Sequence, residues 1–92
     1  MQPIAEMDTR EMTMEHIVDL MIEIQSNEEL AQEFFDKCVA DALENPANSN
    51  CSQEMMEGRV RRNLGYMMGY APTRIDTDMW KRIGCAHPRG AV

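Results

Sequence analysis

Apolar residues recur at helical spacing in three separate segments of this 92-residue chain, and this spacing constrains the fold more than any other feature. The first segment repeats at i, i+3, i+4 and i+7, which places its apolar side chains on one face of a helix. These residues are Ile17, Leu20, Met21 and Ile24. No stretch alternates apolar and polar residues as a half-buried strand does. We therefore predict an all-α fold.

Capping and breaking residues divide the helical pattern into elements. Thr9 or Thr13 can cap the first helix, and Ser26 opens a Ser-x-x-Glu capping box before the second. Pro46 ends the second helix, and Asn50 or Ser52 can cap the third. We predict a compact bundle of three longer helices at about 9–25, 27–44 and 52–69. A short C-terminal helix at about 77–83 follows, capped by Asp76 or Thr77 and stopped by Gly84.

The length permits one domain, so we predict a single helical domain over 1–92 with a frayed lead-in at 1–8 and an irregular tail at 85–92. No run of 18 apolar residues could cross a membrane, and the N-terminus lacks the apolar region of a secretory signal. The three cysteines are an odd number without paired spacing. We therefore expect no disulfide framework and a cytoplasmic location.

Charge is divided unevenly along the chain. Residues 1–57 hold 14 acidic and 2 basic side chains, a net charge of −12, whereas residues 58–92 hold 2 acidic and 7 basic ones, a net charge of +5. A split of this size indicates a partner of complementary charge. The alternative is that the two parts neutralise each other within one fold.

The first predicted helix carries acidic residues at successive spacings of four. They are Glu11, Glu15, Asp19 and Glu23. Like charges at this spacing are slightly unfavourable in an isolated helix, although many solvated helix faces carry them without a role. The functional interpretation is an anionic ridge that meets a cationic partner or imitates nucleic-acid phosphates.

The third predicted helix combines cations, an aromatic residue and glycines. Arg59, Arg62 and Tyr66 share the side opposite the apolar face, and Gly58, Gly65 and Gly69 form a stripe beside them. Each glycine inside a helix costs about 1 kcal/mol relative to alanine. The stripe therefore predicts close approach of a packed helix or of a phosphate backbone, unless Gly65 and Gly69 merely mark the helix end.

Catalysis and metal binding have little support in the sequence. No catalytic motif is present, and the Cys85-Ala86-His87 segment could supply only part of a four-ligand zinc site. The sequence therefore predicts neither an enzyme nor a cofactor.

These patterns predict a non-catalytic protein that binds a macromolecular partner. It would act as an inhibitor or adaptor of a larger protein machine, for example as a virus-encoded inhibitor of a host system that handles nucleic acid. The predicted contacts are the acidic ridge, the residues of the third helix and Trp80, which could alternatively pin the short helix to the bundle. Two alternatives remain: a structural homodimer, and a nucleic-acid-binding regulator, which the net charge of −7 disfavours. The regulator would use Arg59, Arg61, Arg62, Arg74, Lys81 and Arg82.

Overall fold

Every α-helix begins directly after a residue whose side chain accepts a hydrogen bond from the backbone of the first turn. The computed structural model describes residues 2–86. Its α-helices are α1 (Met14–Ile24), α2 (Glu28–Glu44), α3 (Gln53–Met68) and α4 (Thr77–Arg82). Their caps are Thr13, Asn27, Ser52 and Asp76. Since no strand occurs among the described residues, the predicted all-α bundle of three longer helices and one short helix is confirmed.

The structure selects the second of the two caps predicted for the first helix, and it replaces the predicted cap of the second helix by the next residue. Thr9–Glu11 forms a separate 3-10 turn, and α1 begins only after Thr13, whose hydroxyl accepts the N–H of His16 at 3.2 Å. Asn27, rather than Ser26, caps α2 and accepts from the N–H groups of Glu29 and Leu30. The Thr9 hydroxyl is instead used in a hydrogen bond to Asp41, and Asn27 satisfies two backbone N–H groups of the first turn at once.

The segment before α1 is folded onto the bundle, so the predicted frayed lead-in is wrong for residues 2–8. Ile4–Glu6 forms a 3-10 turn, and Ile4 is only 3% exposed. Thr9 donates hydrogen bonds to the buried carboxylate of Asp41 on α2. The burial of Ile4 and the hydrogen bonds between Thr9 and Asp41 together outweigh the conformational entropy that the segment loses on folding.

One hydrophobic cluster holds the four helices together. Each helix contributes its predicted apolar face. The central residues of the cluster are Met21, Ile24, Phe34, Phe35, Val39, Met56, Val60, Leu64, Met79 and Trp80. Burying one such side chain contributes about 1.5–3 kcal/mol. Because α3 packs mainly on α2, its opposite side is left to solvent.

The end of α4 forms a Schellman motif around Gly84. The Gly84 N–H donates to the Lys81 carbonyl, and the Cys85 N–H donates to the Trp80 carbonyl, both at 3.0 Å. Gly84 has φ of +97°, which glycine adopts without the steric penalty of a side chain. The predicted stop at this residue is confirmed. Cys85 follows it as a fully buried residue, and the rest of the predicted irregular tail, from residue 87 on, lies outside the described residues.

No helix in residues 2–86 combines the length and the apolar character that crossing a membrane requires.

Candidate functional site

The outward side of α3 carries a continuous row of arginine, tyrosine and methionine. Met55, Arg59, Arg62 and Tyr66 are spaced by four, three and four residues, and Tyr70 continues the row just beyond the helix. All five are exposed, Met55 to 55%, Tyr66 to 46% and Tyr70 to 63%. We call these five residues the α3 stripe. Tyrosine, arginine and methionine are the residue types enriched where proteins bind one another.

A groove of about 290 Å³ adjoins the Tyr70 end of the stripe. It separates α1 from the turn that links α3 to α4. Its lining is Met14, Glu15, Val18 and Asp19 from α1, and Tyr70, Ala71 and Arg74 from the turn. Val18 and Ala71 are its buried residues, whereas Met14 and Tyr70 stand exposed. The groove therefore joins the acidic side of α1 to the aromatic end of the α3 stripe.

Gln25 holds in place the wall of this groove that the turn between α3 and α4 forms. Its Nε2 donates to the Arg74 carbonyl at 2.9 Å, and its Oε1 accepts the Asp76 N–H at 2.7 Å. Both partners lie about fifty residues further along the chain. Gln25 thus ties the end of α1 to the turn that carries Tyr70 and Arg74.

The acidic ridge is shorter than predicted. Glu15, Asp19 and Glu23 are exposed on α1, but Glu11 lies on the preceding 3-10 turn because the helix does not extend back to it. None of these four carboxylates takes part in an ion pair with another described residue. Glu15 and Asp19, on the α1 side of the groove, therefore share it with Arg74 but form no ion pair within residues 2–86.

The basic half of the chain is also largely unneutralised. Arg82 pairs with Glu28 at 2.8 Å, and Arg61 lies 3.9 Å from Glu57 on the same helix. The other described cations of this half form no ion pair with a residue of 2–86. They are Arg59, Arg62, Arg74 and Lys81. The two charged halves meet at Arg82 and Glu28, and Arg74 shares the groove with Glu15 and Asp19 without an ion pair.

The six cations of the nucleic-acid alternative are spread over three parts of the fold. Arg59 and Arg62 lie on the α3 stripe, Arg74 lines the groove, and Lys81 and Arg82 lie on α4. Arg61 points the other way: its guanidinium carbon lies 4.9 Å from the centre of the Phe35 ring. That cation–π contact makes Arg61 a packing residue.

The three glycines of α3 do not form a common line of close contact within the fold. A methyl group added at Gly58 would meet nothing within 4 Å, and one at Gly69 would lie 3.3 Å from the Tyr66 carbonyl. Gly65 is buried, whereas Gly58 and Gly69 are exposed. No other described helix of this chain packs closely against Gly58, so that prediction is wrong. Close contact between Gly58 and a separate partner stays a prediction.

Trp80 is fully buried, so the interpretation as an exposed binding anchor is wrong. The alternative interpretation, that it pins the short helix to the bundle, is confirmed by its place in the core cluster. Its indole N–H meets no acceptor among the described residues, although a buried tryptophan usually finds one.

The buried polar and thiol groups have structural roles. Asp41 has a lowered pKa: burial opposes its ionisation, but hydrogen bonds from Thr9 and Lys37 outweigh that effect. Burial raises the pKa of the Cys38 thiol to about 12 and that of Cys85 to about 11. His87, the second half of the suggested zinc segment, lies outside the described residues. Residues 2–86 contain no group of three metal-ligating side chains placed to hold an ion.

The sequence-based site omitted Met14 and Met55. Met55 lies at helical spacing from Arg59, so the same periodicity that identified the arginines could have included it. Met14 lies at helical spacing from the buried Met21, and the fold nevertheless leaves it 42% exposed at the groove.

No protein-family model, curated protein sequence or solved structure matches this chain.

Proposed function

We propose that this chain is a non-catalytic interaction protein that binds a protein partner through the α3 stripe and the adjoining groove. One observation carries the proposal: every large apolar side chain exposed in residues 2–86 lies on this surface. These side chains are Met14, Met55, Tyr66 and Tyr70. Exposed methionine and tyrosine interleaved with arginine are the residue types typical of sites that bind another protein.

The groove gives the surface a defined shape. The Gln25 hydrogen bonds hold the turn that forms one wall of the groove, so the groove has its shape before a partner binds. A surface that is already ordered loses less conformational entropy on binding. Unpaired charges on both sides, Glu15 and Asp19 on α1 and Arg59 and Arg62 on α3, would select the partner and its orientation.

We extend the proposal to an inhibitor or adaptor of a larger protein machine in the cytoplasm. A virus-encoded inhibitor of a host system that handles nucleic acid is the example that fits best. The small size and the net charge of −7 support this class, because an acidic protein is attracted to the basic surfaces of such machines.

Direct nucleic-acid binding is the second candidate. Arg59 and Arg62 favour it, since both are exposed beside Tyr66, which could stack on a base. The exposed carboxylates of Glu15 and Asp19 on the same side of the molecule oppose it. Binding of this kind would weaken steeply as salt is raised and would be lost in Arg59→Ala/Arg62→Ala.

Site-specific photo-cross-linking tests the protein-partner proposal. A photoreactive side chain replaces Tyr70 in one variant and Glu33, on the exposed face of α2, in the matched control. We expect Tyr70 to capture one protein from the source cell, competed by excess unlabelled wild type but not by Arg62→Ala/Tyr70→Ala. Equal capture at both positions, or competition by the double variant, would contradict this surface. Labelled single- and double-stranded oligonucleotides at low salt test the second candidate in parallel.

A further inference from the structure

The part of the α3 stripe from Met55 to Tyr66 holds two cations between two large apolar side chains. Arg59 and Arg62 are exposed on the outward side of α3 and form no ion pair with another described residue. Met55 is 55% exposed and Tyr66 is 46% exposed. The four residues extend over about 17 Å of the helix axis at about 1.5 Å per residue. This part of the stripe is long enough to contact three turns of another helix.

The acidic residues of α3 lie on other sides of the helix. At about 100° per residue, Glu54 lies about 100° from Met55 around the helix axis, and Glu57 lies about 160° from it. The Glu57 carboxylate is also 3.9 Å from the guanidinium of Arg61 on the same helix. The outward side of α3 between Met55 and Tyr66 is therefore cationic and apolar.

Charge at this part of the stripe favours an acidic partner. The groove carries both signs, through Glu15, Asp19 and Arg74, so charge in the groove favours neither an acidic nor a basic partner. The part from Met55 to Tyr66 differs, because its charged side chains are all positive. A carboxylate forms paired, charge-assisted hydrogen bonds with an arginine guanidinium, which makes acidic side chains the natural complement of this surface.

We propose that the protein partner contacts this part of the stripe with an acidic amphipathic α-helix. Its carboxylates meet Arg59 and Arg62, and its apolar side chains pack on Met55 and Tyr66. Residues three and four apart share one face of any α-helix, so glutamate and leucine at these spacings repeat with the same distances as the stripe. Gly58 lies beside the stripe with open space around it, so the partner helix can approach α3 closely there. The inference rests on the proposed function for the surface and adds the chemistry of the partner.

A nucleic acid fits the same residues less well. A protein that binds a phosphate backbone tightly makes about 6–10 phosphate contacts, whereas this part of the stripe supplies two cations. Tyr66 could stack on a base, but Met55 offers no contact to a phosphate, and the net charge of −7 repels a long polyanion. An amphipathic helix uses both the cations and the apolar side chains.

Binding of designed peptides to the full chain tests this inference. The probe is a fluorescently labelled peptide of about 18 residues, long enough to form a helix, with glutamate and leucine on one face and alanine and glutamine elsewhere. In one comparison peptide lysine replaces each glutamate, and in the other serine replaces each leucine. Fluorescence anisotropy at low salt should show that both comparison peptides bind at least about tenfold more weakly than the probe.

Two variants test which residues hold the acidic peptide. Arg59→Gln/Arg62→Gln removes both cations of the stripe and should weaken its binding by about tenfold. The matched control, Arg10→Gln/Lys81→Gln, removes two exposed cations from other elements and should bind like the wild type. The control makes the same change in net charge, so a difference between the variants reports local contact. Circular dichroism spectra and melting temperatures equal to those of the wild type establish that both variants are folded.

Equal binding of the lysine peptide, or unchanged binding of the probe in Arg59→Gln/Arg62→Gln, overturns the inference. So does the absence of probe binding at low salt. A single-stranded oligothymidylate that binds through these arginines more tightly than the probe overturns it in favour of a nucleic acid. The cross-linking experiment is separate. Capture at Tyr70 without probe binding contradicts only the acidic helix, whereas equal capture at Tyr70 and Glu33 contradicts the proposed function whatever the peptides show.

Discussion

Thr9 donates both its backbone N–H and its hydroxyl to Oδ2 of Asp41, at 2.9 and 2.7 Å. Lys37 donates to the other carboxylate oxygen at 2.9 Å. Asp41 is 3% exposed, so these three hydrogen bonds replace the water that the charge loses on burial. The contact ties the N-terminal segment to α2 across 32 residues of sequence.

This network predicts a pH-dependent contribution of Asp41 to stability. Because its folded pKa is lowered, the contribution is fully present above the unfolded value of about 3.9 and is lost as pH falls through the folded pKa. Asp41→Asn should lower the free energy of unfolding by about 2–4 kcal/mol at neutral pH. Urea denaturation at neutral pH and near pH 3 should show this difference shrinking in acid. Glu33→Gln, on the exposed face of α2, should change stability little at either pH, and an Asp41→Asn effect that grows in acid would refute the assignment.

Gln25 should control both stability and the shape of the groove. Gln25→Ala removes the hydrogen bonds to Arg74 and Asp76 and should lower the free energy of unfolding by about 1–2 kcal/mol. Gln25→Glu can still accept from Asp76 but cannot donate to Arg74, so it should lie between alanine and the wild type at neutral pH. Amide hydrogen exchange at Asp76 measures the local effect. Unchanged protection of that amide in Gln25→Ala would contradict the role given to this side chain.

Trp80 should report the folded core directly. Trp80 is the one tryptophan and is fully buried, so the fluorescence of the folded protein should have its maximum at short wavelength. Acrylamide should quench this fluorescence only when the protein unfolds. Trp80→Ala should lower the free energy of unfolding by about 3–5 kcal/mol. Trp80→Phe should be milder, because the indole N–H has no acceptor among residues 2–86. Ready quenching of the native protein would show that the side chain is not in the core.

Two glycines should respond to alanine with opposite signs. Gly84→Ala forces a side chain into positive φ and brings its Cβ to 2.6 Å from Nε of Arg61, so stability should fall by about 1–2 kcal/mol. Gly58→Ala fills open space on an exposed part of α3 and should raise stability by about 1 kcal/mol. Thermal and urea denaturation of the pair check the signs. A stabilising Gly84→Ala would rule out the described end of α4.

The cysteines should differ in reactivity. Burial raises the pKa of Cys38 and Cys85, so at mildly alkaline pH both should react slowly with a thiol reagent. Cys85 is buried, whereas Cys38 and Cys51 are both partly exposed, and Cys51 should react first because the raised pKa slows Cys38. In Cys51→Ser the fast phase of the thiol reaction should disappear, and in denaturant Cys38 and Cys85 should both react fully. A fast phase that persists in this variant would place another thiol at the surface.

The elements of the fold could be predicted because their signals are local. Thr13, Ser52, Asp76 and Gly84 act on backbone groups within a few residues, and apolar periodicity reports which face of each helix turns inward. Thr9 and Thr13 both suit the cap of the first helix, as Ser26 and Asn27 both suit that of the second. Sequence could not rank them, because the winner depends on how the preceding segment packs, as Thr9 does on Asp41.

The sequence by itself determined the helical class, most helix ends and the separation of charge into two halves. The tertiary structure decided which members of each pattern face solvent. Arg59, Arg61 and Arg62 look alike in sequence, yet only Arg61 packs over Phe35. Trp80 was open to two interpretations until its burial settled them, and the groove exists because Gln25 reaches Arg74 and Asp76 about fifty residues away. The physical reason is that capping and periodicity act through neighbouring backbone groups, whereas burial depends on contacts between distant segments that meet only in the folded chain.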